Sequence, residues 1–352
     1  AYPRVREALK KEVDRHENRD YADNGIPEFK QTAAEYLKNV FSVDVDPETE
    51  VIHAIGSKSA LSMMPSALIN PGDTVLMTVP GYPVFGTHAA WYGGKVHNLP
   101  LCKENGFLPD LEGLDPELLD AAKVLVINYP NNPTGAVATL EFYSKVVDLA
   151  RRHRFVVVQD AAYAALTFKG APLSFLSVDG AKEVGVEIHS LSKAFNMTGW
   201  RLAFAAGNPL LVSALANVKD NYDSGQFKAI QKAAMEALRH PEITEEITEK
   251  YSRRMKALCT VLSGAGFDAK IPDGTFYLYT NVPRSAASGQ IFESGEDFSQ
   301  FLIREKLIST VPWDDAGNFI RFSVTFEANG VDEEKRIMDE LAERIGGMGL
   351  TF

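Results

Sequence analysis

Between residues 51 and 207, six short apolar runs alternate with turn-rich and helical stretches: VIHAI, TVLMTV, KVLVINY, FVVVQD, VGVEIHS and RLAFAAG. No other feature constrains the fold as much. Successive side chains of a strand point to opposite faces, so a strand with one face in water alternates apolar and polar residues. These runs are apolar on both faces. They need cover on both sides, which is the condition of a largely parallel sheet with helices above and below. The segment EFYSKVVDLARRH supplies such cover, with Phe142, Val146 and Leu149 on one helical face. The C-terminal part is patterned differently. GTFYLYTNV and NFIRFSVTF alternate like half-exposed strands, and DEEKRIMDELAERI is an amphipathic closing helix. A second, smaller α+β domain is expected there, joined through a long helix starting near Pro241.

Composition narrows the class of function. The chain has 352 residues, 45% hydrophobic and 24% charged, which suits a globular protein with a sizeable core. Its net charge of −11 leaves no basic stripe to meet a phosphate backbone, so nucleic acid is an unsuitable partner. No apolar run reaches the roughly 18 residues of a membrane span, and no charged-then-apolar leader opens the chain. Cys102 and Cys259 are far apart in the sequence, and the seven histidines form no HxxxH or HxH pair, so no metal site is expected. A reducing, cytoplasmic setting fits.

In open α/β sheets, ligands bind beyond the carboxyl ends of the strands. Five successive strand ends carry polar or glycine-rich residues here. Gly56-Ser57-Lys58 follows VIHAI, and PGYP with Tyr82 follows TVLMTV. NYPNNPTG follows KVLVI, Asp160 and then Tyr163 follow FVVVQ, and HSLSK with Lys193 follows VGVEI. Each has a plainer reading alone. Gly56-Ser57-Lys58-Ser59 caps a helix, and it lacks the GxxxxGK[ST] spacing of a P-loop. NNPTG makes a turn, Asp160 caps a helix, Tyr163 packs in a core, and Lys193 and Arg201 keep solvated heads. Together the plain readings require five coincidences on one rim.

One chemistry uses the whole set. A lysine amine at a strand end forms a Schiff base with a carbonyl. A carboxylate on the neighbouring strand keeps a pyridine nitrogen protonated, which makes the ring an electron sink. Serine hydroxyls, amides at a helix start and an arginine suit a phosphate. An amide and a phenol can bond a ring hydroxyl, and an aromatic can stack on the ring. These requirements describe pyridoxal 5′-phosphate.

With NNPTG, DAAY, and SLSK followed by Arg201 eight residues after Lys193, the chain resembles the fold-type I pyridoxal-phosphate-dependent aminotransferases over nearly its whole length. The resemblance implies a mostly parallel seven-stranded sheet in a large domain (21–248) and a discontinuous small domain (1–20 and 249–352). It also implies the residue roles. Lys193 is the Schiff-base lysine and proton carrier, Asp160 the partner of the ring nitrogen, and Tyr82 the stacking aromatic. Asn132 and Tyr163 hold the ring oxygen. Ser57, Lys58, Ser190 and Arg201 form the phosphate cradle, with Ser192 beside them.

Arg321 alternates with Ile320, Phe322, Val324 and Phe326, so it lies on the opposite face of its strand. The plain reading is an exposed arginine. The family likeness implies instead that it forks the substrate α-carboxylate, a bidentate task unsuited to lysine. By the same likeness, Tyr21 crosses to the cofactor phosphate of a partner subunit, making a homodimer with shared sites. An arm upstream of Ala1, carrying a glycine and an aromatic, is expected to close over the substrate.

Within that family the chain is most similar to the LL-diaminopimelate aminotransferases, in VPGYPVFGTHAAWYGG, SLSKAFNMTGWRLAFAAGN and STVPWDDAGNFIRFSVTFEA. The likeness implies amino exchange between LL-2,6-diaminopimelate and 2-oxoglutarate, giving tetrahydrodipicolinate and glutamate, in lysine biosynthesis. Asn132, Lys58 and Ser224 join Arg321 as substrate contacts. Two other readings stand beside it: an aminotransferase for aspartate, alanine or aromatic amino acids, and a non-catalytic module on the same fold.

Overall fold

A computed structural model describes residues 1–352. Seven strands, β1 (Val51–Ala54), β2 (Thr74–Val79), β3 (Lys95–Pro100), β4 (Ala122–Asn128), β5 (Val156–Asp160), β6 (Gly185–Ser190) and β7 (Ala203–Gly207), form one sheet. Their order is β1-β7-β6-β5-β4-β2-β3. β7 is antiparallel to both its neighbours, and every other pair is parallel. Six carboxyl ends therefore share one rim, and β7 starts at that rim. This reversal puts Arg201, which precedes β7, beside the ends of the other strands.

The two-sided apolar pattern is met by two cores. Val124, Val126, Val158, Val186 and Ile188 face helices Ser57–Leu68, Val84–Trp91 and Pro209–Tyr222. Leu125, Ile127, Val157 and Phe204 face the other way, toward Pro27–Phe41, Leu140–His153 and Lys228–Leu238. Each such side chain, buried to within a few per cent, contributes about 1.5–3 kcal/mol. Leu140–His153 starts where the Thr139 hydroxyl accepts from Phe142 N.

β3 is the one strand of this sheet that the apolar pattern does not announce. Its residues KVHNLP are mostly exposed, and it is an edge strand with β2 as its only neighbour.

Three further strands, β8 (Tyr277–Asn281), β9 (Val311–Trp313) and β10 (Phe319–Ser323), make an antiparallel sheet in the order β8-β10-β9. β9 has three residues with Pro312 at its centre, too short and too poor in donors to read as a strand from sequence. The long helix expected near Pro241 is Glu242–Gly264, and the closing helix is Val331–Gly346. Arg253 and Arg254 of the first both bond Glu334 of the second, at 2.8–3.0 Å. The sequence reading groups residues 1–20 with the small domain. The helix Pro3–Val13 lies along Lys228–Leu238, where Arg4 pairs with Glu236 at 3.4 Å.

Candidate active site

β5 ends on Asp160, which is 5% exposed. Its carboxylate accepts one bond from the chain, from Ala162 N at 3.2 Å. Burial pushes its pKa up to about 6, against the opposing pull of that N–H, Lys193 and His189. A buried carboxylate with one backbone partner is suited to a cationic donor from a ligand.

β6 runs on into the short helix Leu191–Ala194, where the Ser190 hydroxyl accepts from Ser192 N at 3.2 Å. That turn aims Lys193 at two aromatic rings, with Nζ 5.9 Å from the centre of Tyr163 and 5.7 Å from that of Phe276. Burial lowers the Lys193 pKa, the cations of Arg201 and Arg321 lower it further, and Asp160 opposes them. The shift brings the neutral amine, the form that attacks carbonyls and takes protons, closer to reach than in a free lysine.

The turn after β4 separates its two asparagines. Asn131 Oδ1 accepts from both N and Oγ1 of Thr134, closing the turn. Asn132 is held through its backbone, which donates to Asn128 Oδ1 at 2.9 Å, and its side chain faces Arg321. Asn128 also donates to the Asp160 carbonyl at 2.8 Å, so one side chain ties the ends of β4 and β5 together.

Arg321, on β10, brings the small sheet to this rim. Its Nη1 donates to Asn132 Oδ1 at 2.5 Å. The guanidinium lies 3.9 Å from the Tyr277 ring centre and 5.2 Å from that of Trp313. Its Nε is buried without a partner, as is the Trp313 indole nitrogen. An arginine close to two aromatic rings, with an unbonded Nε, is prepared for a carboxylate. Tyr163 donates to Tyr277 Oη at 3.3 Å, and burial raises its pKa well above the ordinary value.

Opposite, Gly56 precedes the helix Ser57–Leu68 with φ +81°. A Cβ there would stand 2.1 Å from Arg201 Nη2, so the backbone and the guanidinium meet at a distance that only glycine allows. Arg201 Nη1 donates to the Thr198 carbonyl at 2.7 Å and more weakly to Ser192 Oγ at 3.4 Å. The first amides of a twelve-residue helix, Ser57 and a guanidinium thus converge, as a phosphate requires. Lys58 Nζ stands 6.0 Å from the Tyr82 ring centre.

Two of the expected residues are not drawn into this cluster within the chain. Tyr21 is 79% exposed. Ser224 is exposed on the loop between Pro209–Tyr222 and Lys228–Leu238. Tyr277, Trp313, Asn128 and Gln226 bear on the site and are absent from the sequence reading. Asn128 left a trace, a polar residue closing an apolar run. The others depend on contacts between distant segments.

The buried Asp160 carboxyl, Lys193 with its lowered pKa, and the Arg201 guanidinium beside a helix start stand on one rim, the set that a pyridoxal 5′-phosphate enzyme uses. The chain belongs to the family aminotransferase class I and II, whose model matches residues 1–345. It is a pyridoxal-phosphate-dependent aminotransferase acting on small amino and oxo acids.

The chain is 56% identical to the LL-diaminopimelate aminotransferase of Methanocaldococcus jannaschii, over 100% of its own length and 86% of that protein. It is 42% identical to the one from Aquifex aeolicus, over 98% and 87%. Among solved structures it is similar to substrate-bound BacF from Bacillus subtilis, with TM-score 0.93 and 34% identity over 100% of this chain and 88% of that one. A Thermus thermophilus aspartate aminotransferase double mutant gives TM-score 0.84 and 30% identity over 97% and 88%.

Proposed function

We propose that the chain exchanges an amino group between LL-2,6-diaminopimelate and 2-oxoglutarate, giving tetrahydrodipicolinate and glutamate, within lysine biosynthesis in the cytoplasm. The observation that carries this reading is the chain-long likeness to the LL-diaminopimelate aminotransferases. The unbonded edge of Arg321 supports it.

Pyridoxal phosphate, when bound, supplies a carbonyl that condenses with amines and a ring that accepts the electrons released at the substrate Cα. The protein does the rest. Lys193 would anchor the cofactor and, once the amino substrate displaces it, would carry the proton from the substrate Cα to the cofactor's C4′. Asp160 holds the charge of the ring nitrogen. Asn132 and Tyr163 donate to the ring oxygen, and Tyr82 covers the ring. Ser57, Lys58, Ser190, Ser192 and Arg201 hold the phosphate. Arg321 forks the substrate carboxylate beside Asn132, while Lys58 and Ser224 meet its distal end.

The working unit in this reading is a homodimer in which Tyr21 reaches the partner's cofactor phosphate. Among the large apolar side chains that stand 61–79% exposed, Tyr21, Leu210, Trp91 and Tyr222 belong to the large domain and support this reading. The hydroxyl of Tyr92, just past the helix Val84–Trp91, meets that of Tyr222 on Pro209–Tyr222 at 3.0 Å, joining the two helices.

The test is the near-visible absorption of the loaded protein on adding LL-diaminopimelate, aspartate, alanine or an aromatic amino acid. A change with LL-diaminopimelate at the lowest concentration is the expected result. A response to another amino acid only would move the substrate assignment to that amino acid. A response to none would favour the non-catalytic module.

A further inference from the structure

Arg201 does not hold its conformation alone. Its backbone is left-handed, at φ +55°, a region that disfavours a residue with a Cβ. Its carbonyl and that of Trp200 both accept from one side chain, Gln226 Nε2, at 3.0 and 2.9 Å. The two carbonyls can only accept, so the amide nitrogen must face them and Oε1 must face the other way. There it meets His53 Nε2 at 3.0 Å, which fixes the histidine as the Nε2–H tautomer. The ring is neutral, because burial pushes its pKa down to about 4.

Both ends of this relay are anchored. His53 is fully buried on β1, paired with Phe204 of β7, and its backbone N–H donates to the Asn24 carbonyl at 3.1 Å. A Cβ on Gly25 would stand 2.6 Å from His53 Cβ, so the segment after Tyr21 lies directly against the ring. Gln231 Nε2 donates to the Gln226 carbonyl at 2.7 Å, and its Oε1 accepts from Ile26 N at 2.9 Å. Asp223 accepts from Gly225 N at 2.8 Å and from the buried Lys219 at 2.7 Å, which fixes the start of the loop.

We infer that Gln226 is a positioning residue for the cofactor phosphate. Through His53 and the carbonyls of residues 200 and 201, it sets the backbone turn that delivers the Arg201 guanidinium to Gly56. It also ties that turn to the segment carrying Tyr21. The inference rests on the reading of Arg201 as part of the phosphate cradle.

The test uses the full chain, stripped of cofactor and titrated with pyridoxal 5′-phosphate and, separately, with pyridoxal, which lacks the phosphate. The near-visible band reports binding in both titrations. In Gln226→Met, which keeps the length of the side chain and loses all three of its hydrogen bonds, the preference for pyridoxal phosphate over pyridoxal should fall about tenfold. Gln226→Asn, which keeps the amide but cannot span the gap, should behave alike and serves if the first variant does not fold. General loosening would weaken both ligands equally and leave the preference intact, and that result overturns the inference. Arg201→Gln separates the two levels of the argument. If it lowers the preference and the Gln226 variants do not, the relay is wrong and the cradle stands. If it leaves the preference unchanged, the cradle reading fails and the relay with it.

Discussion

At the scale of the residue, Lys193 and Asp160 are displaced from their ordinary acidities in opposite directions by the same cause, loss of water around the charged form. The amine becomes easier to keep neutral and the carboxyl harder to ionise. Replacing Lys193 by Ala should abolish steady-state turnover while the cofactor still binds, measured as activity against retained absorbance; normal turnover would contradict its role. Asp160 carries a stability cost that a pH series can reveal. Its pKa in the folded, cofactor-free chain is about 6, above the 3.8 of the free group, so folding favours the proton. Its contribution is full below about pH 3.8 and is lost as pH rises through 6. Asp160→Asn should therefore raise the Tm of the cofactor-free protein at pH 8, by the equivalent of up to about 3 kcal/mol, and change it little near pH 4. Equal Tm values at pH 8 would remove the cost from this group.

At the scale of the element, two junctions govern the site. Gly56 joins β1 to the helix Ser57–Leu68 with a positive φ and no room for a Cβ against Arg201. Gly56→Ala should weaken cofactor binding at least tenfold by equilibrium titration, since either the guanidinium or the helix start must move. Arg321 is the other case. It sits on β10, but its orientation comes from Tyr277 on β8 and Trp313 on β9, whose rings flank the guanidinium. A cation–π contact of this kind is worth about 0.5–2 kcal/mol. Trp313→Leu should raise KM for both amino and oxo acid substrates about two- to thirtyfold, with a smaller effect on kcat. Trp313→Phe, which keeps the ring, should recover most of that loss. A KM insensitive to both changes would mean that Arg321 holds its geometry unaided.

At the scale of the whole molecule, the exposure of Tyr21 fits an active site completed by a second copy. The prediction is a complementation. Lys193→Ala and Tyr21→Ala homodimers should each be inactive or weak, whereas mixing them under exchange conditions should create hybrids with one intact site and restore activity. Failure of hybrids verified by size and mass to recover activity would confine Tyr21 to its own chain.

Much of this was legible in the order of residues. Six of the seven large-sheet strands could be read because each is buried on both faces and so must be apolar throughout. The rim residues Ser57, Asn132, Asp160, Ser190 and Lys193 could be read because each ends a strand or follows one within four residues, and local continuity carries each one to the sheet edge. β3 and β9 could not, because an edge strand and a three-residue strand centred on proline are stabilised by their neighbours more than by their own composition. Nor could the reversal of β7, which puts Arg201 on the rim. The same holds for the Tyr277–Arg321–Trp313 stack and the Gln226–His53 relay. Those partners lie from 8 to 173 residues apart in the chain, and only closure of the sheets brings them within bonding distance. The sequence by itself determined which chemical groups stand at the rim, since that follows from strand ends. The tertiary structure decided their charge state and orientation, since burial and the approach of distant segments set both.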